Sequence, residues 1–225
     1  MSLETRLHTV QDKIRAACKE AGRAPSEVRL IAVSKTRPAS AIETALQLGQ
    51  IHYGENYAQE LRDKVKVLGP SSDIIKWHYI GRIQRNKAKY IAPSAYRVHT
   101  LESVEQAEAL LKRASHGLDA LLAVNIGREP QKSGLLPEHI IPLAQALHNV
   151  PNCRIHGLMC LPPIATTPQA NAPYFEEMAY WMSQGQANGF KWDELSMGMS
   201  SDYPVAIRYG ATWIRVGTAL FGPRT

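Results

Sequence analysis

The chain has 225 residues and a mass of 25.0 kDa, with 44% hydrophobic and 20% charged positions and a formal net charge of +6. This composition excludes global disorder, and no apolar run approaches the ~18 residues that a membrane span needs. Three scattered cysteines, Cys18, Cys153 and Cys160, with no C-x-x-C, exclude a disulfide scaffold and lead us to expect a reducing, cytoplasmic setting.

Leu3, Leu7, Val10, Ile14 and Ala17 recur at helical spacing among Glu4, Asp12 and Glu20, which predicts an amphipathic helix ended by Gly22. Those acids argue against a signal or transit peptide. Strand-like and helix-like segments then alternate. Val28 to Ser34 is a β-branched run, followed by a helix from Pro38 to Leu48. Ile51 to Glu55 leads into a helix from Tyr57 to Leu68, and Trp77 to Ile80 into a basic helix after Gly81. Tyr96 to Leu101 precedes a helix from Ser103 to Ala114. The near-continuous apolar run Leu118 to Ile126, suited to a strand buried on both faces, precedes a helix from Pro137 to His148. Arg154 to Leu161 precedes a helix from Pro173 to Ala187. Glu194 to Met197 and Trp213 to Val216 flank a short helix from Tyr203 to Tyr209. This pattern predicts an α/β fold of one domain over residues 1–225. The leading form is a single parallel (β/α)8 TIM-type barrel with an extra N-terminal helix, and a doubly wound open sheet is the alternative.

The sharpest basic cluster, Arg82, Arg85, Lys87 and Lys89, lacks the interleaved aromatics of a single-strand binding face. It reads as a solvated helix face, so neither nucleic acid nor a membrane surface is expected as a partner.

In a βα barrel the chemistry gathers at the carboxyl ends of the strands. There, Lys35 follows six residues of buried-type strand. Desolvation lowers a lysine pKa and frees a nucleophilic amine, although a lysine leaving the strand for solvent fits the position as well. Ser200 and Ser201 stand before a short helix, where hydroxyls and amide N–H groups suit a phosphate. Ser-Ser-Asp is equally a helix N-cap. Gly217 and Thr218 follow the last strand, where barrels often complete a phosphate cup, and Gly217 also suits a plain turn. A lysine facing two phosphate-type segments suits pyridoxal 5'-phosphate (PLP), which carries an aldehyde and a phosphate in one molecule.

Six segments carry a resemblance. They are Ala32–Thr36 (AVSKT), Tyr53–Tyr57 (YGENY), His78–Lys87 (HYIGRIQRNK), Gly157–Met159 (GLM), Ser196–Asp202 (SMGMSSD) and Arg215–Gly222 (RVGTALFG). In this order they resemble the pyridoxal phosphate homeostasis protein family, whose fold is similar to the N-terminal barrel of alanine racemase. The resemblance implies that Lys35 carries PLP as an internal aldimine. It implies that Ser200, Ser201, Gly217 and Thr218 hold the phosphate and that Arg215 faces the pyridine nitrogen. It also implies that Asn56 and His78 lie close to the cofactor. From residue type alone, His78 equally suits a core histidine and Asn56 a helix cap. Lys132 matches a family loop position and reads as a mobile loop lysine rather than a second covalent anchor. No His or Cys spacing suggests a metal site.

The expected function is reversible carriage and buffering of PLP, with delivery to apo-enzymes and a monomeric state. A PLP-dependent amino-acid racemase is the alternative, and a Schiff-base aldolase accounts for less of the motif set. Two-base racemisation needs a second base on the opposite face of the substrate, which alanine racemase takes from a second domain. The chain runs only from Gly222 to Thr225 beyond the last motif, so robust turnover is not expected.

Overall fold

The computed structural model describes residues 1–223. Eight strands follow one another in sequence: β1 (Arg29–Val33), β2 (His52–Glu55), β3 (Lys76–Tyr79), β4 (Ala95–Leu101), β5 (Leu118–Val124), β6 (Cys153–Cys160), β7 (Glu194–Met199) and β8 (Trp213–Val216). Each pairs in parallel with the next, and β8 returns to β1, where Arg29 faces Trp213 and Ala32 faces Val216. The sheet is therefore the closed (β/α)8 barrel, not the open alternative.

Helices α1 (Leu3–Glu20), α2 (Ala39–Gln47), α3 (Ala58–Leu68), α4 (Ala88–Ile91), α5 (Val104–Leu111), α6 (Ile140–His148), α7 (Ala172–Ala187), α8 (Tyr203–Arg208) and α9 (Thr218–Phe221) surround it. In α1 the Ser2 hydroxyl caps Thr5 N–H at 3.1 Å, and Leu7, Val10, Ile14 and Ala17 form the buried stripe. That stripe packs on α8 and α9, across the seam where the barrel closes. Burying each of its Leu, Val and Ile side chains contributes roughly 1.5–3 kcal/mol. No helix among the described residues is long and apolar enough to cross a membrane.

The basic helix expected after Gly81 is shorter than the pattern suggested. It is a 3-10 turn over Arg85–Lys87 followed by the single turn of α4. Residues 137–139 form a 3-10 turn, so α6 begins at Ile140. Helix α9 was not foreseen, since one turn is too short to show a period.

The barrel interior departs from the usual filling of branched aliphatics. One side is a small apolar cluster of Leu121, Ala123 and Met159. The other side is polar, with His78, His99 and Ser196 fully buried.

Candidate cofactor site

Lys35 sits in a turn immediately after β1. Arg37 N–H closes that turn onto Ser34 C=O at 3.0 Å, and Thr36, its third residue, has φ +62°. A positive φ there is glycine's place in a type II turn, and for a β-branched residue the strain is roughly 1–3 kcal/mol. The flanking residues are held firmly. Ser34 N–H donates to Gly54 C=O at 3.1 Å, and its hydroxyl donates to Glu55 Oε1 at 2.6 Å. Thr36 N–H donates to Glu60 Oε1 at 2.6 Å.

The Ser200–Ser201 turn leaves the end of β7. Gly198, at φ +89°, lets the chain double back, since a Cβ there would lie 2.7 Å from the Ala206 Cβ. Asp202 is buried and pins the turn. Its carboxylate accepts Met199 N–H at 2.6 Å and Asn171 Nδ2 at 2.7 Å. The Asp202 side chain does not cap α8, so here the N-cap reading of Ser-Ser-Asp fails at its acid. Ser200 Oγ accepts Ala219 N–H at 3.4 Å, joining the turn after β7 to the start of α9.

Arg215 rises from β8 into the same region and is 4% exposed. It donates to Ser196 Oγ at 2.7 Å and to Cys160 C=O at 2.8 Å. Among the described residues no carboxylate pairs with it, and burial lowers its pKa from the ordinary value. An acceptor-rich ligand would match this buried cation.

One cavity of about 290 Å³ collects Lys35, Asn56, Ser200, Ser201, Arg215, Gly217 and Thr218 on its wall, with Val33, Ile80 and Met159 supplying apolar surface. Asn56 Oδ1 is buried there without a hydrogen-bond partner, an acceptor left for a ligand donor. Its backbone is fixed by Gly81, where a Cβ would meet the Asn56 carbonyl oxygen at 1.8 Å. A nucleophile-type amine, two hydroxyls, a buried guanidinium and an unsatisfied amide oxygen together fit a planar aldehyde that carries a phosphate.

His78 is not on that wall. It lies inside the barrel, fully buried, with both ring nitrogens bonded: to His52 Nδ1 at 3.0 Å and to His99 Nε2 at 2.8 Å. His99 Nδ1 in turn meets Ser196 Oγ at 2.9 Å, the hydroxyl that Arg215 touches. His78, expected close to the cofactor, is thus linked to Arg215 only through His99 and Ser196. Arg215 can only donate, so Ser196 Oγ accepts from it. The hydroxyl proton is then available to His99 Nδ1, and that direction matches an Nε2–H tautomer on His99 and next on His78. Burial lowers the pKa of both well below the ordinary value, and holds His52 at about 4 with help from Arg29 and Lys76.

Lys132 faces an adjoining pocket of about 380 Å³ with Arg82 and Asn125, which shares Asn56 and Met159 with the Lys35 cavity. Lys132 Nζ donates to Pro162 C=O at 3.1 Å and pairs with Glu129. Among the described residues, one group of metal-capable side chains, His156, Asp193 and Glu194, comes within 4.8 Å at the opposite end of the barrel. Sequence spacing did not reveal it, because β6 and the start of β7 bring those residues together. Arg97, 3.2 Å from Glu194, opposes a cation there.

The alanine racemase N-terminal domain profile matches residues 6–225. A pyridoxal phosphate homeostasis protein of Pseudomonas aeruginosa is 41% identical over 96% of this chain and 93% of its own length. The corresponding protein of Haemophilus influenzae is 37% identical over 100% and 97%. The chain belongs to the pyridoxal phosphate homeostasis protein family. A solved structure similar to it is PipY of Synechococcus elongatus with PLP bound, at TM-score 0.84 and 34% identity over 98% of this chain and 100% of that one.

Within the frame of that family, the sequence reading missed three charged residues close to Lys35: Glu55, Glu60 and Lys64. A signal was present for Lys64. It shares the apolar stripe of α3 with Ala58, Leu61 and Leu68, a position where a charge demands a partner.

Proposed function

We propose that this chain binds PLP in the Lys35 cavity and acts as a reversible cytoplasmic carrier and buffer of the cofactor, releasing it to apo forms of PLP-dependent enzymes. The observation that carries the reading is the convergence of Lys35, the Ser200–Ser201 turn and a buried Arg215, with no carboxylate partner among the described residues, on one cavity sized for a single small ligand. When bound, the cofactor supplies an aldehyde that condenses with an amine. Lys35 is the covalent anchor. Ser200, Ser201, Gly217 and Thr218 hold the phosphate, and Asn56 accepts from the ring substituents. Arg215 stays charged and donates, so it disfavours protonation of the ring nitrogen that it faces. A ring without that proton is a weaker electron sink, which favours holding the cofactor over turning over amino acids.

Reduction of the holo-protein with borohydride, followed by digestion and mass spectrometry, should place the pyridoxyl group on Lys35. Label on Lys132 or other lysines, with none on Lys35, overturns the assignment. Incubation with L-alanine in deuterium oxide should give little α-deuterium exchange. Turnover on the order of 1 per second or faster favours the racemase instead.

A further inference from the structure

Two charged side chains, Lys64 and Glu55, are buried beneath the Lys35 turn with the half-buried Glu60 beside them, and none of the three lines the cavity. Lys64 is 7% exposed, yet its ammonium has a full set of acceptors: Ser34 C=O at 2.6 Å, Glu55 Oε1 at 2.7 Å and Glu60 Oε1 at 2.7 Å. Glu55, at the end of β2, has no exposure at all. A leucine at position 64 would serve the apolar stripe of α3 without the desolvation that this cluster incurs. Buried ion pairs are weak stabilisers against well-packed apolar residues, so their retention asks for another reason.

The reason lies in where the bonds end. Ser34 is gripped through its carbonyl by Lys64 and through its hydroxyl by Glu55, and Thr36 through its N–H by Glu60. The cluster thus fixes the main chain immediately before and immediately after Lys35. The Glu60 contact also holds Thr36 in a left-handed conformation that threonine avoids. Release of that N–H lets the turn relax and re-aims the root of a side chain with four rotatable bonds.

We propose that Lys64, Glu60 and Glu55 are positioning residues that clamp the Lys35 turn and so aim its amine at an incoming aldehyde. This inference rests on Lys35 being the covalent anchor. The phosphate turn comes from β7 and α9, outside the clamp, so covalent capture and phosphate anchoring are separable.

The test uses the full chain in its apo form, with Glu60→Ala, Glu60→Gln and Glu60→Ala/Thr36→Gly variants. Two probes are used. Pyridoxal with cyanoborohydride reports the rate of Lys35 labelling, located by peptide mass spectrometry: the amine and aldehyde condense with loss of water and hydride reduces the product. 4'-Deoxypyridoxine 5'-phosphate, which has no aldehyde, reports affinity of the phosphate-anchored site alone. Glu60→Ala should slow Lys35 labelling about tenfold while the analogue's affinity stays within about twofold, since a small misplacement of a reacting group is expensive. Glu60→Gln, which keeps an oxygen acceptor, should restore most of the rate. Thr36→Gly should restore it too, because glycine needs no hold at that φ. Unchanged labelling in Glu60→Ala overturns the clamp and leaves the anchor standing. Parallel loss of labelling and analogue affinity, or no rescue by Thr36→Gly, also overturns it. Wild-type protein never labelled at Lys35 overturns both the anchor and the clamp.

Discussion

Two largely buried polar networks lie behind the Lys35 cavity, and they are built from opposite chemistry. The Glu55–Lys64–Glu60 cluster is ionic and ends on the main chain beside Lys35. The His52–His78–His99–Ser196 series is neutral, passes through the barrel interior and ends on the Arg215 side chain. The difference follows from what each must hold. A strained turn needs strong acceptors and donors, and charge-assisted bonds supply them. A buried guanidinium with no paired carboxylate among the described residues cannot tolerate further positive charge nearby, so its supports are imidazoles that burial keeps unprotonated.

The contrast breaks most visibly at Lys64. Lys64→Met leaves Glu55 buried without its cation, which should cost about 3–5 kcal/mol in denaturant unfolding. Adding Glu55→Gln should recover most of that loss, because both charges are then gone. If the double variant is no more stable than Lys64→Met, the pair is not the source of the effect.

Acid sharpens the other side. His78 and His99 have pKa values below the ordinary 6.5 in the folded chain, whereas the unfolded chain takes up protons near that value. Stability present above pH 6.5 is therefore lost as pH falls below it, by up to about 1.4 kcal/mol per pH unit for each histidine. Burial raises the Glu55 pKa, although Lys64 and Ser34 pull it down, so Glu55 does not contribute to that loss. Unfolding curves at neutral pH and near pH 5 for the wild type and His99→Asn should differ by a one-proton slope. Equal slopes would mean that His99 is not held neutral.

The smallest expected effect is Thr36→Gly alone. Relief of the left-handed strain is offset by the greater freedom of glycine in the unfolded chain, so stability should move by no more than about 1 kcal/mol. A larger loss would show that the threonine side chain, not its N–H, is what the turn needs.

The strands were legible because their β-branched and apolar runs stand out at barrel spacing, and the cavity residues because they follow strand ends in recognisable sets. Lys35, Ser200, Ser201 and Gly217 fall into that class. That His78 does not line the cavity was not legible, because a strand pattern says which residues point inward but not at what depth. The clamp was invisible for a different reason. Glu60 and Lys64 look like an ordinary i,i+4 helix pair, and only the packing of α3 on β2 turns that pair toward Ser34 and Thr36. Arg215 was expected to face the cofactor, but nothing in the sequence linked it to Ser196, which comes from a neighbouring strand.

The seam between β1 and β8 has a consequence for synthesis. Lys35 emerges early from the ribosome, whereas the turns that share its cavity lie at Ser200–Ser201 and Gly217–Thr218. The amphipathic stripe of α1 likewise waits for α8 and α9, at the far end of the chain. Such end-to-end contacts form slowly, because loop closure must precede any gain from them. A nascent chain thus cannot assemble this cavity until nearly the whole barrel has been made, and a fragment cut short before β8 would carry Lys35 without Arg215 and the Gly217–Thr218 turn that share its cavity.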